Sequence, residues 1–203
     1  MKKPISFATG VIIAVLLQTL ALAWMVFDRN RILTTGETVK LTVQPVDPRD
    51  LFRGDFVILR YDISWLGPNT VANVGTYRRN DPIYVELAKT EQGLWKAVAA
   101  HKSHTRSKEA HIVIRGRVAN VNSQRPRIPG DNAEDPDCPA PCRGLRVRYG
   151  LENYFVPEGE GKALEDMRNN KKVEILAAVS GGGNAAIKAI IVDGQSAYVE
   201  PLL

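Results

Sequence analysis

From Pro4 to Phe27 the chain carries no charged side chain, and within it VIIAVLLQTLALAWMVF is apolar apart from Gln18 and Thr19. As an α-helix these 24 residues reach about 36 Å, enough to cross a hydrocarbon layer with some tilt. Trp24 stands near one end, where interfacial aromatics collect. A cleavable signal peptide is the competing reading, because Ala21-Leu22-Ala23 resembles a small-residue cleavage site. The apolar run continues through Trp24-Met25-Val26-Phe27, past the point where a cleavage region turns polar, and this favours an uncleaved anchor. No cysteine follows the segment directly, so a lipoprotein is excluded. The expected lipid contact is through residues 5–27. Lys2, Lys3 and the α-amine precede the segment, and Arg29 and Arg31 follow it, so Lys and Arg alone tie. The amine tips the orientation toward an N-terminus inside a cytoplasmic membrane, with the remainder periplasmic or extracellular.

Behind the anchor the pattern changes to period two. Val39, Leu41 and Val43 share one side of VKLTVQPV, and Ile83, Val85 and Leu87 share one side of PIYVELAK. HIVIRGRV gives Ile112, Ile114 and Val118, and LRVRYGLE gives Leu145, Val147, Tyr149 and Leu151 against Arg146 and Arg148. VEILAAVS and AIKAIIVD follow. Half-buried antiparallel strands have this alternation, and TEQG and SGGGN between such runs predict hairpin turns. The expected fold is mainly β, with an N-terminal transmembrane helix followed by antiparallel hairpins.

Two stretches resemble each other. LRYDIS (Leu59–Ser64) matches VRYGLE (Val147–Glu152), and Tyr61 to Tyr149 spans 88 residues, as does Val85 to Val173. A four-residue insertion near the glycines then aligns Lys96 with Lys188. The organisation expected is an anchor (1–33), a first β-rich half (34–122), a Pro- and Asp-rich linker or loop (123–143) and a second β-rich half (144–203). Within the last, KALEDMRNN predicts one short helix. The only two cysteines, Cys138 and Cys142, flank a proline-pinned DCPAPC. They read as a small disulfide loop in an oxidising compartment, or else as two free thiols.

Catalytic and cofactor signatures are absent. There is no G-x-S-x-G elbow, and SGGGNAAIK lacks the Gly-Lys-Ser/Thr ending of a phosphate loop. His101, His104 and His111 lie among Lys, Ser and Arg and read as a solvated hairpin tip, so no metal site is expected. The net charge of +5 is spread among alternating acids and bases, which argues against nucleic acid. No cofactor and no catalytic residue is predicted.

One stretch concentrates charge. PVDPRDLFRGDFVILRYDIS places Asp47, Arg49, Asp50, Arg53 and Asp55 ahead of an alternating run. Val57, Leu59, Tyr61, Ile63 and Trp65 fall on one face of that run, and Gly54 suits the turn before it. GDFVILRY, with its flanks PVDPRDLFRGD and YGLENYFVPEGEGKALE, resembles the GDYXXLXY family over most of the chain behind the anchor. Phe56 replaces the family's motif Tyr. The resemblance implies a bacterial membrane-anchored protein of unassigned activity, with no catalytic residue and no cofactor. A weaker similarity to signal-peptidase-like serine proteases places Val46 where the nucleophile stands, and Val has no hydroxyl.

The functional expectation is therefore a membrane-tethered β-rich binding or assembly module, with an integral membrane protein as the kind of partner it would meet. Its contact surface is placed at Asp47, Arg49, Arg53 and Asp55, with Arg60, while Gly54, Val57, Leu59 and Tyr61 serve folding. The alternatives are a carboxylate-dependent hydrolase or transferase using Asp47, Asp55 or Glu158, and an inactive signal-peptidase-like domain.

Overall fold

A computed structural model describes residues 6–44, 56–71, 74–105, 110–124, 142–155 and 173–200. Helix α1 (Phe7–Thr35) is long and apolar enough to cross a membrane. Its apolar residues from Phe7 to Phe27 are exposed, whereas Ile32 and Leu33 are buried in a small cluster with Ala178 and Ala186. The helix thus has two environments along one axis: a bare apolar stem and a final turn docked on a sheet. Gly36 alone separates α1 from the first strand. Its N–H closes on the Ile32 carbonyl at 2.9 Å. A Cβ there would lie 2.5 Å from the Ile32 oxygen and 3.0 Å from the Val179 nitrogen, so the backbone approaches too closely for any side chain.

Among the described residues the β domain has two five-stranded sheets. The first runs β12 (Gln195–Val199), β11 (Ala185–Val192), β10 (Val173–Val179), β1 (Glu37–Gln44), β3 (Arg60–Tyr61). The second runs β4 (Trp65–Leu66), β8 (Arg143–Arg148), β7 (His111–Gln124), β5 (Pro82–Lys89), β6 (Trp95–His101). A two-stranded ladder joins β2 (Phe56–Ile58) to β9 (Asn153–Phe155). Strands from 34–122 and from 144–203 therefore pair within the same sheets. One core cluster is common to both sheets, with Leu41, Ile175 and Ile190 from the first and Ile83, Ile114 and Leu145 from the second.

The alternations predict these inward faces well: Val39, Leu41, Ile83, Val85, Leu87, Ile114, Val118, Leu145 and Val147 are all essentially inaccessible to solvent. The run after Phe56 differs from the expected single strand. It breaks between β2 and β3, then turns through one 3-10 helix at Asp62–Ser64 before β4. Leu59, Tyr61 and Ile63 are buried as expected, but the turn resets the alternation, so Ser64 and Leu66 are buried too and Trp65 is only half-buried. The predicted helix in KALEDMRNN lies outside the described residues.

The pairing pattern recurs within the molecule. Val57 pairs with Tyr154 as Leu145 pairs with Leu66, and Ile58 with Asn153 as Arg146 with Trp65. Each correspondence is a shift of 88 residues, the same as Tyr61 to Tyr149. The hairpins β5–β6 and β10–β11 correspond as well, at a shift of 90 (Thr90 to Ser180, Gly93 to Gly183). Both turns close with the same two bonds: Thr90 N–H to Leu94 O with Gly93 N–H to Thr90 O, and Ser180 N–H to Asn184 O with Gly183 N–H to Ser180 O. Both carry a bulge at the corresponding place, at Val98 and at Lys188. No insertion is needed within the hairpin, so Val85 corresponds to Ile175 and not to Val173. Leu41 pairs with Ile175 where Ile114 pairs with Val85.

Candidate functional site

The two Tyr segments meet at the centre of this arrangement. The Tyr61 hydroxyl donates to the Leu151 carbonyl, and the Tyr149 hydroxyl donates to the Ile63 carbonyl at 2.7 Å. Leu59 N–H donates to Glu152 O at 2.7 Å. Each segment is also closed by a side chain three residues past its tyrosine: Tyr61 N–H donates to Ser64 Oγ at 3.1 Å, and Tyr149 N–H donates to Glu152 Oε1 at 2.6 Å. Burial pushes both phenols well above their ordinary pKa, and the Glu152 charge adds to the effect. These tyrosines are neutral donors committed to backbone oxygens, and their chemistry is structural.

Beside Tyr149 the surface opens into a cleft of about 520 Å³. Arg115 and Arg117 on β7 and Arg148 on β8 line it, with Glu152 on its wall and Asn184 and Ala185 at one end. The sequence alternation dictates this clustering. Arg115 and Arg117 are two apart on one strand and share a face, and the register sets Arg117 opposite Arg148. All three are exposed. Arg117 Nη1 donates to Asn80 O at 3.3 Å. Among the described residues no carboxylate lies within ion-pair distance of any of the three. Glu152 is held by the backbone, accepting from Tyr149 N–H at 2.6 Å and from Gly150 N–H at 3.0 Å. Gly150, at φ +80°, supplies the left-handed backbone that aims those two N–H groups at one carboxylate.

The far end of the cleft is fixed by the β10–β11 turn, which docks on β7. Arg115 N–H donates to Gly183 O at 2.8 Å, and a Cβ on Gly183 would come within 2.9 Å of the Arg115 nitrogen. One residue beyond Ala185, Ala186 contacts the last turn of α1. The cleft and the helix-docking point are thus at the same end of the β10–β11 hairpin.

A second polar group lies on the strands of the second sheet. Glu86 on β5 is buried, and its carboxylate meets His111 Nδ1 at 2.5 Å and His101 Nε2 at 3.5 Å. The histidines expected at a solvated tip therefore divide. His101 and His111 flank a buried carboxylate from the two neighbouring strands, whereas His104 bonds the Gly181 carbonyl at 3.0 Å. Among the described residues no three His, Cys, Asp or Glu side chains are arranged to hold a metal ion.

Of the predicted contact residues, Asp47, Arg49, Arg53 and Asp55 lie outside the described residues, as do Gly54 and Glu158. Arg60 is half-buried on β3, opposite Gln44. Val57 sits in the β2–β9 ladder, and Leu59 and Tyr61 are in the core. Cys142 is disulfide-bonded, and Cys138 lies outside the described residues. The arginine cleft was present in the sequence as the polar side of VIRGRV and LRVRY. Only the cross-strand register brings those two sides together.

No curated protein and no solved structure shows a significant match to the chain. The family model described as GDYXXLXY protein matches residues 18–190, from within α1 into β11. The two crossing tyrosine segments, the whole second sheet and all of the first sheet except β12 and the end of β11 fall inside that match, and the chain belongs to the GDYXXLXY family.

Proposed function

We propose that this chain is a membrane-tethered binding module whose β domain is held against the bilayer surface, outside the cytoplasmic membrane. One observation carries the reading: Ile32 and Leu33 of α1 bury against Ala178 and Ala186, and only Gly36 separates helix from strand. A flexible tether would contain a polar linker of several residues. Here the final turn of the anchor is part of the domain's packing, so the domain inherits the helix's position and tilt. The disulfide at Cys142 favours an oxidising compartment.

Photo-crosslinking from positions on the cleft rim in intact membranes tests the reading. Recovery of a membrane-embedded protein or lipid is expected, and it should be lost when a Gly/Ser linker is inserted after Gly36. Mass measurement of the mature chain supplies the counter-result: an N-terminus following Ala23 would remove the span and overturn the tether.

A further inference from the structure

We infer that the cleft formed by Arg115, Arg117 and Arg148 binds a phosphate-bearing anion. Like charges placed directly opposite each other on a sheet destabilise it, and Arg117 faces Arg148 in the β7–β8 register with Arg115 beside them. Neighbouring carboxylates usually relieve such crowding. Among the described lining residues the one acid, Glu152, accepts from two backbone N–H groups. The cleft therefore sets three guanidinium groups, one of them also bonded to Asn80 O, against one committed carboxylate. Planar forks match the paired oxygens of a phosphate bidentately. A phosphate also presents its acceptor oxygens tetrahedrally and, as a monoester or diphosphate, brings more charge than a single carboxylate, so it can engage several arginines at once. At about 520 Å³ the space exceeds what a bare ion needs, so the phosphate would carry a substituent.

The ligand could be a lipid headgroup or a free phosphate compound, and the fold gives the first a route. Ala185 lines the cleft, and its neighbour Ala186, on the other face of β11, packs on Ile32 and Leu33, five and six residues beyond Phe27 at the end of the apolar run. At about 1.5 Å per residue this docking point stands roughly 8–9 Å past the apolar run, close to the headgroup layer. The phosphate chemistry of the site does not depend on the tethered reading; only the lipid source rests on it.

The test uses the full chain in phosphatidylcholine nanodiscs, titrated calorimetrically with inorganic pyrophosphate. Saturable binding is expected, weakened at least about tenfold in Arg115→Gln/Arg148→Gln and unchanged in Lys89→Gln on the other end of the sheet. Arg148→Lys keeps the charge but not the fork, and it should weaken binding by a smaller factor. This variant carries the test if the double variant does not fold by circular dichroism. Adding phosphatidylglycerol to the nanodiscs lowers the apparent pyrophosphate affinity if the headgroup is the occupant. With the span shown intact by mass measurement, an unaltered affinity assigns the cleft to a free phosphate compound. Absence of saturable binding, or equal binding by wild type and the arginine variants, overturns the inference. A cleaved N-terminus would abolish the lipid competition and leave pyrophosphate binding intact, so the two failures are distinguishable.

Discussion

Tyr61 and Tyr149 reach across the centre of the molecule in opposite directions, each donating its phenol to the carbonyl two residues beyond the other: Tyr61 to Leu151 and Tyr149 to Ile63. The last tyrosine of the family signature is therefore one half of a reciprocal clasp, and VRYGLE supplies the other half. The clasp ties the segment leaving β3 of the first sheet to the segment leaving β8 of the second.

Tyr61→Phe and Tyr149→Phe each keep the ring and remove one donor from a buried carbonyl. Each should cost about 1–2 kcal/mol in urea unfolding. The double variant should depart from additivity, since the two bonds share one packed site. A loss under about 0.3 kcal/mol in both single variants would show that the clasp does not hold the segments together.

Alkaline pH should loosen the same clasp. Both phenols titrate well above their ordinary pKa in the folded chain, because burial disfavours the phenolate and Glu152 repels it. Stability from these groups is fully present below the unfolded value of about 10 and is lost as pH rises from there toward the raised folded values. The expected slope is up to about 1.4 kcal/mol per pH unit for each tyrosine. Denaturant melts at stepped alkaline pH check this, and Tyr61→Phe/Tyr149→Phe should flatten the dependence.

The two matching hairpin turns should respond unequally to one substitution. Gly93 and Gly183 both have positive φ (+80° and +87°), so alanine strains both. At Gly93 nothing lies within 4 Å of the added Cβ, while at Gly183 the Arg115 backbone nitrogen stands at 2.9 Å. Gly93→Ala should cost about 1 kcal/mol, and Gly183→Ala clearly more, with the turn lifted off β7. Thermal unfolding of the two variants side by side decides it.

Much of this architecture was legible from local pattern. Val39-Leu41-Val43 and Ile83-Val85-Leu87 announce their buried faces by alternation, and TEQG and SGGGN announce their turns, because both signals are properties of neighbouring residues. What alternation does not encode is partner choice. Nothing in VKLTVQPV says that β1 pairs with β10 and not with a strand nearer in sequence. The resemblance of LRYDIS to VRYGLE does not say that the two copies cross. Glu86 reads as an exposed strand residue until His101 and His111 arrive from the strands on either side. The arginine cleft needs the β7–β8 register for the same reason. The charged stretch Asp47–Asp55, which concentrated the sequence-level expectation of binding, lies outside the described residues.

The proposed tether requires a β domain fixed to the end of the apolar helix α1. Nitroxide labels at Arg29 on α1 and Ser196 on β12, both exposed, measure that fixation directly by double electron–electron resonance in nanodiscs. The docked final turn and the one-residue Gly36 junction predict a single narrow distance distribution, which an inserted Gly/Ser linker after Gly36 should broaden. A broad distribution in the unaltered chain, no narrower than with the linker, would contradict the account.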